Sequence, residues 1–118
     1  MGITYLKVKV ANPEHPQKKE ICKFLVDSWA VYSVIPAPIL KRLGIKATSS
    51  EEFILANGEI VKKDVGNAYF EYNRKMRAAP VIFGDVGVFL LGATTLEALG
   101  MILDPLRREL KTLPLTLM

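Results

Sequence analysis

The shortness of the apolar runs is the feature that most constrains the fold, since Pro and Gly interrupt them throughout the chain. The runs are rich in Val, Ile, Phe and Tyr, which favour strands, and most are too short for long helices. The sequence therefore predicts an all-β fold with one or two short helices. We expect strands at residues 3–10, 20–26, 52–55, 59–63, 66–72, 79–82 and 88–91.

Length and composition favour one folded domain. The chain has 118 residues, of which 50% are hydrophobic and 24% charged, so it has enough apolar side chain for a core. We expect residues 1–118 to form a single domain. Such a chain is too short for a catalyst with two large lobes.

One hairpin and two helices can be located from local signals. Asn57-Gly58 lies between two strand candidates and predicts a β-hairpin, because both residues tolerate positive φ. Pro36 favours the start of the first helix, and Gly44 its end. The second helix is predicted to begin at segment 94–97, where Thr and Glu have capping-box spacing, and to end at Gly100.

These helices belong to a weak internal repeat. Segment 24–30 leads into a helix that closes at 43–45, and segment 89–95 leads into one that closes at 99–101. Each half reads as an apolar strand, a tight polar turn and a helix. The order and spacing predict two related half-units packed face to face, of which only the first carries a carboxylate, Asp27, at its turn.

Asp27 is the candidate catalytic residue. It follows the apolar run 24–26 and precedes Ser28, which places a carboxylate at the mouth of a core strand. An Asp at a strand end also commonly caps a turn through its own backbone, so the residues alone leave both interpretations open.

Segment 24–28, Phe-Leu-Val-Asp-Ser, together with Ala30 resembles the active-site segment of the retropepsin-like aspartic proteases, especially their small cellular and archaeal members. That signature is two apolar residues, Asp, Thr or Ser, Gly and Ala. Leu90 with the second-half turn Leu91-Gly92 resembles the family's apolar-apolar-Gly turn. The resemblance covers roughly residues 3–105 and implies an all-β half-barrel.

The hairpin tip Ala56-Asn57-Gly58 lies between these two motifs, where the family has its flap. The resemblance therefore implies a mobile flap that closes over an extended peptide or protein substrate and excludes water.

The implied activity is that of an aspartic endopeptidase without a cofactor. Peptide hydrolysis by carboxylates needs one group to accept a proton from water and another to protonate the carbonyl oxygen. The resemblance implies a symmetric homodimer in which the two Asp27 side chains meet, while Ser28 hydrogen-bonds across the dimer.

Trp29 departs from the family pattern, which has Gly at this position because the loop passes close to the carboxylates. Three interpretations follow. The ring swings aside and activity is reduced; it fills the groove and leaves a catalytically silent dimeric peptide-binding module; or the residue is an introduced substitution.

Other sites and partners are weaker candidates. Cys22 alternates with Phe24 and Val26 and is expected in the core, while His15 lies in a turn-rich stretch and is expected in solvent. One His and one Cys without ligand spacing predict no metal site. The lone Cys favours a reducing compartment, and we expect the cytoplasm.

The net charge of +4 is spread over short clusters. We expect no nucleic-acid partner, because the aromatic residues do not alternate with basic residues on one strand face. We also expect no membrane partner, because no apolar run approaches the length of a membrane span.

In the C-terminal tail every second residue is a leucine, at Leu113, Leu115 and Leu117. These apolar side chains are costly to expose to water in a monomer. We predict that residues 106–118 form a dimer-interface strand. The alternatives are that the tail folds back on its own sheet or is disordered.

Overall fold

The computed structural model describes residues 3–104 and 109–112, which form nine strands and two helices. The strands are β1 (Tyr5–Asn12), β2 (His15–Val26), β3 (Ser33–Pro36), β4 (Ser49–Ile54), β5 (Ile60–Tyr72), β6 (Lys75–Gly84), β7 (Leu90–Leu91), β8 (Met101–Asp104) and β9 (Glu109–Thr112). The helices are α1 (Ala37–Arg42) and α2 (Ala93–Ala98). A mostly β fold with two short helices is thus confirmed. None of the helices described is long and apolar enough to cross a membrane.

The main sheet closes on itself. Its strand order is β1-β2-β7-β3-β6-β5-β4, and β1 also pairs with β5. Six strands therefore form a ring, and β4 extends from it as an arm paired with the first half of β5. Strands β8 and β9 pair with each other in a separate antiparallel sheet.

Most strand boundaries differ from expectation, and two strands, β3 and β8, have no predicted counterpart. Strand β2 begins at His15 because polar residues pair with β1 there, and His15 itself is exposed as expected. Segments 59–63 and 66–72 form one strand, β5, since Gly66 continues the ladder with β6. Strands β3 and β8 were not predicted, because short runs beside a helix lack a readable alternation, whereas β9 lies within the tail that was predicted to form a strand.

The core fills the ring and the space beneath both helices. Phe24 and Phe70 are fully buried, with ring centroids 6.2 Å apart. Phe89 meets Phe24 edge-on at 5.9 Å. Leu40 of α1 and Leu96 of α2 are also buried, so the helices close the ends of the same core.

The hairpin at Asn57-Gly58 is confirmed, but its turn differs from the expected one. Gly58 has φ +87°, whereas Asn57 does not have positive φ. Its side-chain oxygen instead accepts a hydrogen bond from the Glu59 N–H at 2.9 Å, which stabilises the turn. The turn with two positive-φ residues is the β5–β6 connection, at Asn73 (φ +50°) and Arg74 (φ +65°).

Both helices end at a glycine as predicted, with φ +76° at Gly44 and +71° at Gly100. The capping box at the start of α2 is wrong: Gly92 is the N-cap and makes no side-chain cap. The Ala93 and Thr94 N–H groups donate to backbone carbonyls of residues 30 and 31, at 2.8 and 3.0 Å. Because a neighbouring loop satisfies these donors, the helix needs no capping side chain.

The internal repeat is present in a different register. Strand β3 with α1 matches β7 with α2: each strand leads into a six-residue helix, a Leu and a positive-φ Gly. Val34 and Leu90 occupy equivalent positions and pair directly, so a local two-fold axis passes between them. Leu90 therefore corresponds to Val34 of β3 and not to Leu25 of β2.

The carboxylate expected in only one half occurs in both. Strand β2 runs parallel to β7, as β6 runs parallel to β3, so the turn after β6 is equivalent to the turn after β2. The Ala30 N–H donates to the Asp27 carbonyl, and the Val88 N–H donates to the Asp85 carbonyl, each at 3.2 Å. The second turn thus begins with Asp85.

Candidate active site

Asp27 lies where the closed sheet ends and the loop begins. Its N–H donates to the Leu91 carbonyl at 3.0 Å, which ties the turn to β7. Its carboxylate oxygen Oδ1 accepts the Trp29 backbone N–H at 3.0 Å. Asp27 is half-buried, so its carboxylate caps its own turn and also stands at the mouth of the core strand. The two sequence interpretations are compatible.

A buried polar pair holds this loop in place. The Gly92 N–H donates to Ser33 Oγ at 3.0 Å, and Ser33 Oγ lies 2.6 Å from Thr95 Oγ1. Both hydroxyl residues are fully buried. Sequence reasoning missed them, although a small polar residue at an apolar position of a core segment is the signal that could have identified each.

Gly92 is required by close approach. A Cβ atom built on Gly92 would lie 2.6 Å from the Tyr32 carbonyl oxygen and 2.9 Å from the Ala30 carbonyl oxygen. No side chain fits there, so the second-half turn at Leu91-Gly92 packs directly against the loop that carries Asp27. The structure therefore brings these two predicted segments together.

The backbone N–H of Trp29 is directed at the Asp27 carboxylate, as expected for the family's Gly at this position, while the Trp29 ring projects into solvent. Its φ is not positive, so the loop conformation does not itself require Gly. Its amide hydrogen-bonds the Asp27 carboxylate, and its side chain is 95% exposed. A ring that filled the groove would be buried, so in the isolated chain Trp29 stands at the rim. Ser28 beside it is exposed.

A groove of about 650 Å³ lies between this loop and the β4–β5 arm. Tyr32 and Phe53 meet edge-on across one end, with ring centroids 6.4 Å apart. Its apolar lining is Trp29, Ala30, Val31, Tyr32, Val34, Phe53, Ile54, Leu55, Val61, Ile82 and Val88. Asp27 and Ser28 lie beside the groove and do not line it.

Three charged residues, Glu51, Lys63 and Asp85, also line the groove. Lys63 Nζ lies 3.2 Å from Asp85 Oδ1, so the arm is joined to the second turn by an ion pair. The Asp85 side chain is 82% exposed. Such an exposed pair contributes little to stability.

The flap tip, residues 56–58, projects from the barrel. The Leu55 N–H donates to the Glu59 carbonyl at 2.8 Å, which closes the hairpin. A Cβ at Gly58 would meet no atom within 4 Å. Ala56, Asn57 and Gly58 are all exposed and do not line the groove, whereas Leu55 beside them does.

Two solved structures match this architecture over most of the chain. The EIAV protease, solved in complex with the inhibitor HBY-793, has a TM-score of 0.61 and 16% identity, covering 84% of this chain and 89% of its own. The solution structure of the simian foamy virus (mac) protease has a TM-score of 0.53 and 16% identity, covering 80% and 92%. This chain has the retropepsin-like fold. No protein-family profile and no curated sequence matches it.

The predicted resemblance is therefore confirmed at the level of fold. Both matched structures are viral proteases, and the assignment to the small cellular and archaeal type stays a prediction. In this retropepsin-like chain, segment 24–30 forms the end of β2 and the loop that follows it, and Leu55, next to the hairpin tip at 56–58, lines the groove.

Cys22 is a core residue, as predicted. Its side chain is 4% exposed, and burial raises the pKa of its thiol to about 11, with the Glu20 charge adding to the shift and Arg42 opposing it. A thiol so protected is a poor nucleophile at neutral pH. In the described part of the chain, no group of three or more His, Cys, Asp or Glu could hold a metal.

The predicted interface tail falls mostly outside the described residues. Residues 105–108 and 113–118, which include Leu113, Leu115 and Leu117, are not described. Residues 109–112 form β9 and pair with β8 of the same chain. The dimer-interface role of the tail stays a prediction.

Proposed function

We propose that this protein is a homodimeric aspartic endopeptidase. The observation that carries the proposal is the placement of Asp27 at the end of β2, beside a mainly apolar groove that the β4–β5 arm also lines, on a retropepsin-like fold. The cytoplasm, inferred from the single cysteine, remains the proposed location.

The chemistry requires two carboxyl groups at one site. One Asp27 carboxylate accepts a proton from water as that water attacks the peptide carbonyl carbon, and the other carboxyl protonates the carbonyl oxygen. Two carboxylates in contact do not both ionise readily, so the pair holds one proton between them. A two-fold axis beside the Asp27 loop supplies the second carboxyl from an identical chain.

The groove lining supports an extended peptide with apolar side chains as substrate. Phe53 and Leu55 belong to the arm that carries the flap, so closing the flap brings apolar side chains over the bound peptide. An extended peptide next to strand β4 can bind through its backbone as an added strand.

The first experiment measures cleavage of an unfolded protein between pH 4 and 7. We expect Asp27→Asn to lower turnover by at least about a hundredfold, because the amide neither accepts nor shares the proton. Glu14→Gln, at an exposed Glu between β1 and β2 that does not line the groove, is the control and should keep full activity. Cleavage that survives Asp27→Asn would refute the proposal.

The second candidate function is a silent dimeric peptide-binding module. The presence of Trp29 among the lining residues of the groove favours it, because the family's Gly leaves that space to substrate and partner loop. If Trp29 obstructs catalysis, Trp29→Gly should raise turnover while Trp29→Phe does not. Peptide binding without cleavage in the original chain and in both variants would favour the module.

A further inference from the structure

Exposed cations lie on one face of the barrel wall, where β1 pairs with β2 and β5. Lys7 pairs directly with Lys23, and Lys9 pairs with Ile21 on β2 and with Glu71 on β5. Side chains directly opposite on antiparallel strands share one face of the sheet. This surface, named here the basic face, comprises Lys7, Lys9, Lys19, Lys23 and the neighbouring hairpin residue Arg74.

The basic face accounts for the charge of the whole chain. Removing its five cations from the sixteen Lys and Arg, and Glu71 from the twelve Asp and Glu, leaves eleven of each. The basic face with Glu71 thus carries a local charge of +4, equal to the net charge of the chain. Concentrated positive charge attracts anionic partners, which an even distribution does not do.

The fold does not explain this arrangement. Like charges directly opposite in a ladder are destabilising, as Lys7 and Lys23 are. The ion pairs of the described residues are Arg42 with Glu20 and Lys63 with Asp85, and neither includes a cation of the basic face. The cations of this face are thus available to an external anion.

An aromatic ring and an apolar side chain lie among these cations. Tyr5 is 53% exposed, and Lys23 Nζ lies 4.8 Å from its ring centroid. Ile21 is 63% exposed. Tyr5, Lys7 and Lys9 lie on one face of β1, so an aromatic ring and two basic side chains share a strand face.

A shallow depression continues the basic face toward the β5–β6 turn. It has a volume of about 300 Å³ and is lined by Lys7, Lys9, Ile21, Glu71, Tyr72, Asn73 and Arg74. None of these residues lines the groove beside Asp27. Binding at the basic face therefore does not depend on the proposed peptidase activity.

We propose that the basic face binds single-stranded nucleic acid, with backbone phosphates on its lysines and Arg74 and a base stacked on Tyr5. A charged surface that also presents an aromatic ring is the arrangement used for single strands, whose bases are free to stack. An acidic peptide has no base that would stack on the Tyr5 ring. A membrane surface would need a larger apolar area than Ile21 and Tyr5 provide.

The test measures fluorescence anisotropy of a labelled single-stranded 20-mer against the full chain at several salt concentrations. We expect Lys7→Gln with Lys23→Gln to raise Kd at least tenfold at low salt. The slope of log K against log salt should become shallower by about 1.4, since each lost phosphate contact in a single strand removes about 0.7. Lys41→Gln with Lys46→Gln removes the same charge elsewhere and should change Kd less than threefold.

Substitutions at Tyr5 distinguish binding of nucleic acid from binding of other anions. Tyr5→Ala should raise the Kd for the oligonucleotide at least fivefold and Tyr5→Phe should not, while neither changes binding of poly-glutamate. The proposal is overturned if the oligonucleotide does not bind, or if the two Lys pairs have equal effects. It is also overturned if poly-glutamate or phosphatidylserine vesicles bind as tightly as the oligonucleotide. Melting temperatures of all variants show that they fold.

Discussion

Gly92 is the residue on which the loop geometry most depends. It is buried, and its Cα faces the backbone of the loop that carries Asp27, with the Tyr32 carbonyl where a side chain would begin. The Gly92 N–H donates to Ser33 Oγ, so Gly92 is held both by steric contact and by a hydrogen bond. A departure from glycine at Trp29 is tolerated by the backbone, whereas one at Gly92 is not.

We predict that Gly92→Ala lowers the free energy of unfolding by about 2–3 kcal/mol, because the added methyl group overpacks the loop. Urea denaturation measures this. Gly87→Ala is the comparison: its φ is +85° but its Cβ would meet open space, so it should cost only about 1 kcal/mol of backbone strain. Equal losses in the two variants would contradict the steric account of Gly92.

Cys22 predicts a pH dependence of stability. Burial raises the pKa of its thiol from 9.0 to about 11, so the unfolded chain ionises first as pH rises. Stability is therefore retained below pH 9 and falls between about pH 9 and 11, by up to about 2 kcal/mol. Denaturant titrations at a series of pH values should show this fall in the original chain and a smaller one in Cys22→Ala. An identical fall in Cys22→Ala would assign it to other groups.

At the scale of elements, sequence patterns located the strands that alternate and missed those that do not. Strands β1 and β2 were predicted because one face is apolar, and the hairpin at Asn57-Gly58 because of its turn residues. Strand β3 has four residues and is buried on most of its length, so it shows no alternation. The cap of α2 was mispredicted because its donors bond to a loop distant in sequence, and no local pattern reports such a contact.

The β5–β6 turn offers a test of hairpin energetics. Arg74 has φ +65°, a conformation that costs a residue with a Cβ atom about 1–2 kcal/mol and glycine little. We predict that Arg74→Gly raises the free energy of unfolding by about 1 kcal/mol, measured by thermal or urea denaturation. Lys75→Gly, one residue later in an extended strand, should lower it. Destabilisation by Arg74→Gly would contradict the assigned turn.

At the scale of the molecule, the described residues form a closed sheet of retropepsin-like fold, with Asp27 where strand β2 ends. The motif around Asp27, the flap position and the second-half turn could be predicted from sequence because each consists of adjacent residues. The Ser33–Thr95 pair and the true register of the repeat could not, because they depend on how β3 and β7 meet. The dimer that would complete the site is a prediction.

The chain has one Trp, so its fluorescence reports on the groove rim. Trp29 is 95% exposed in the isolated chain and would lie beside the two-fold axis of a dimer. We predict that its emission shifts to shorter wavelength as protein concentration rises through dimerisation, because the partner chain removes water from the ring. Sedimentation velocity on the same samples identifies the dimer. A dimer with unshifted emission would place the interface away from Trp29.

The distance between the two Asp27 carboxyl groups in a crystal structure of the dimer tests the central claim most directly. The proposed mechanism predicts that the carboxyl oxygens lie within hydrogen-bond reach, about 3 Å, with the Trp29 rings turned away from the shared site. Carboxyl groups beyond hydrogen-bond reach, or a dimer that buries another surface, would leave no shared proton and would contradict the aspartic peptidase mechanism.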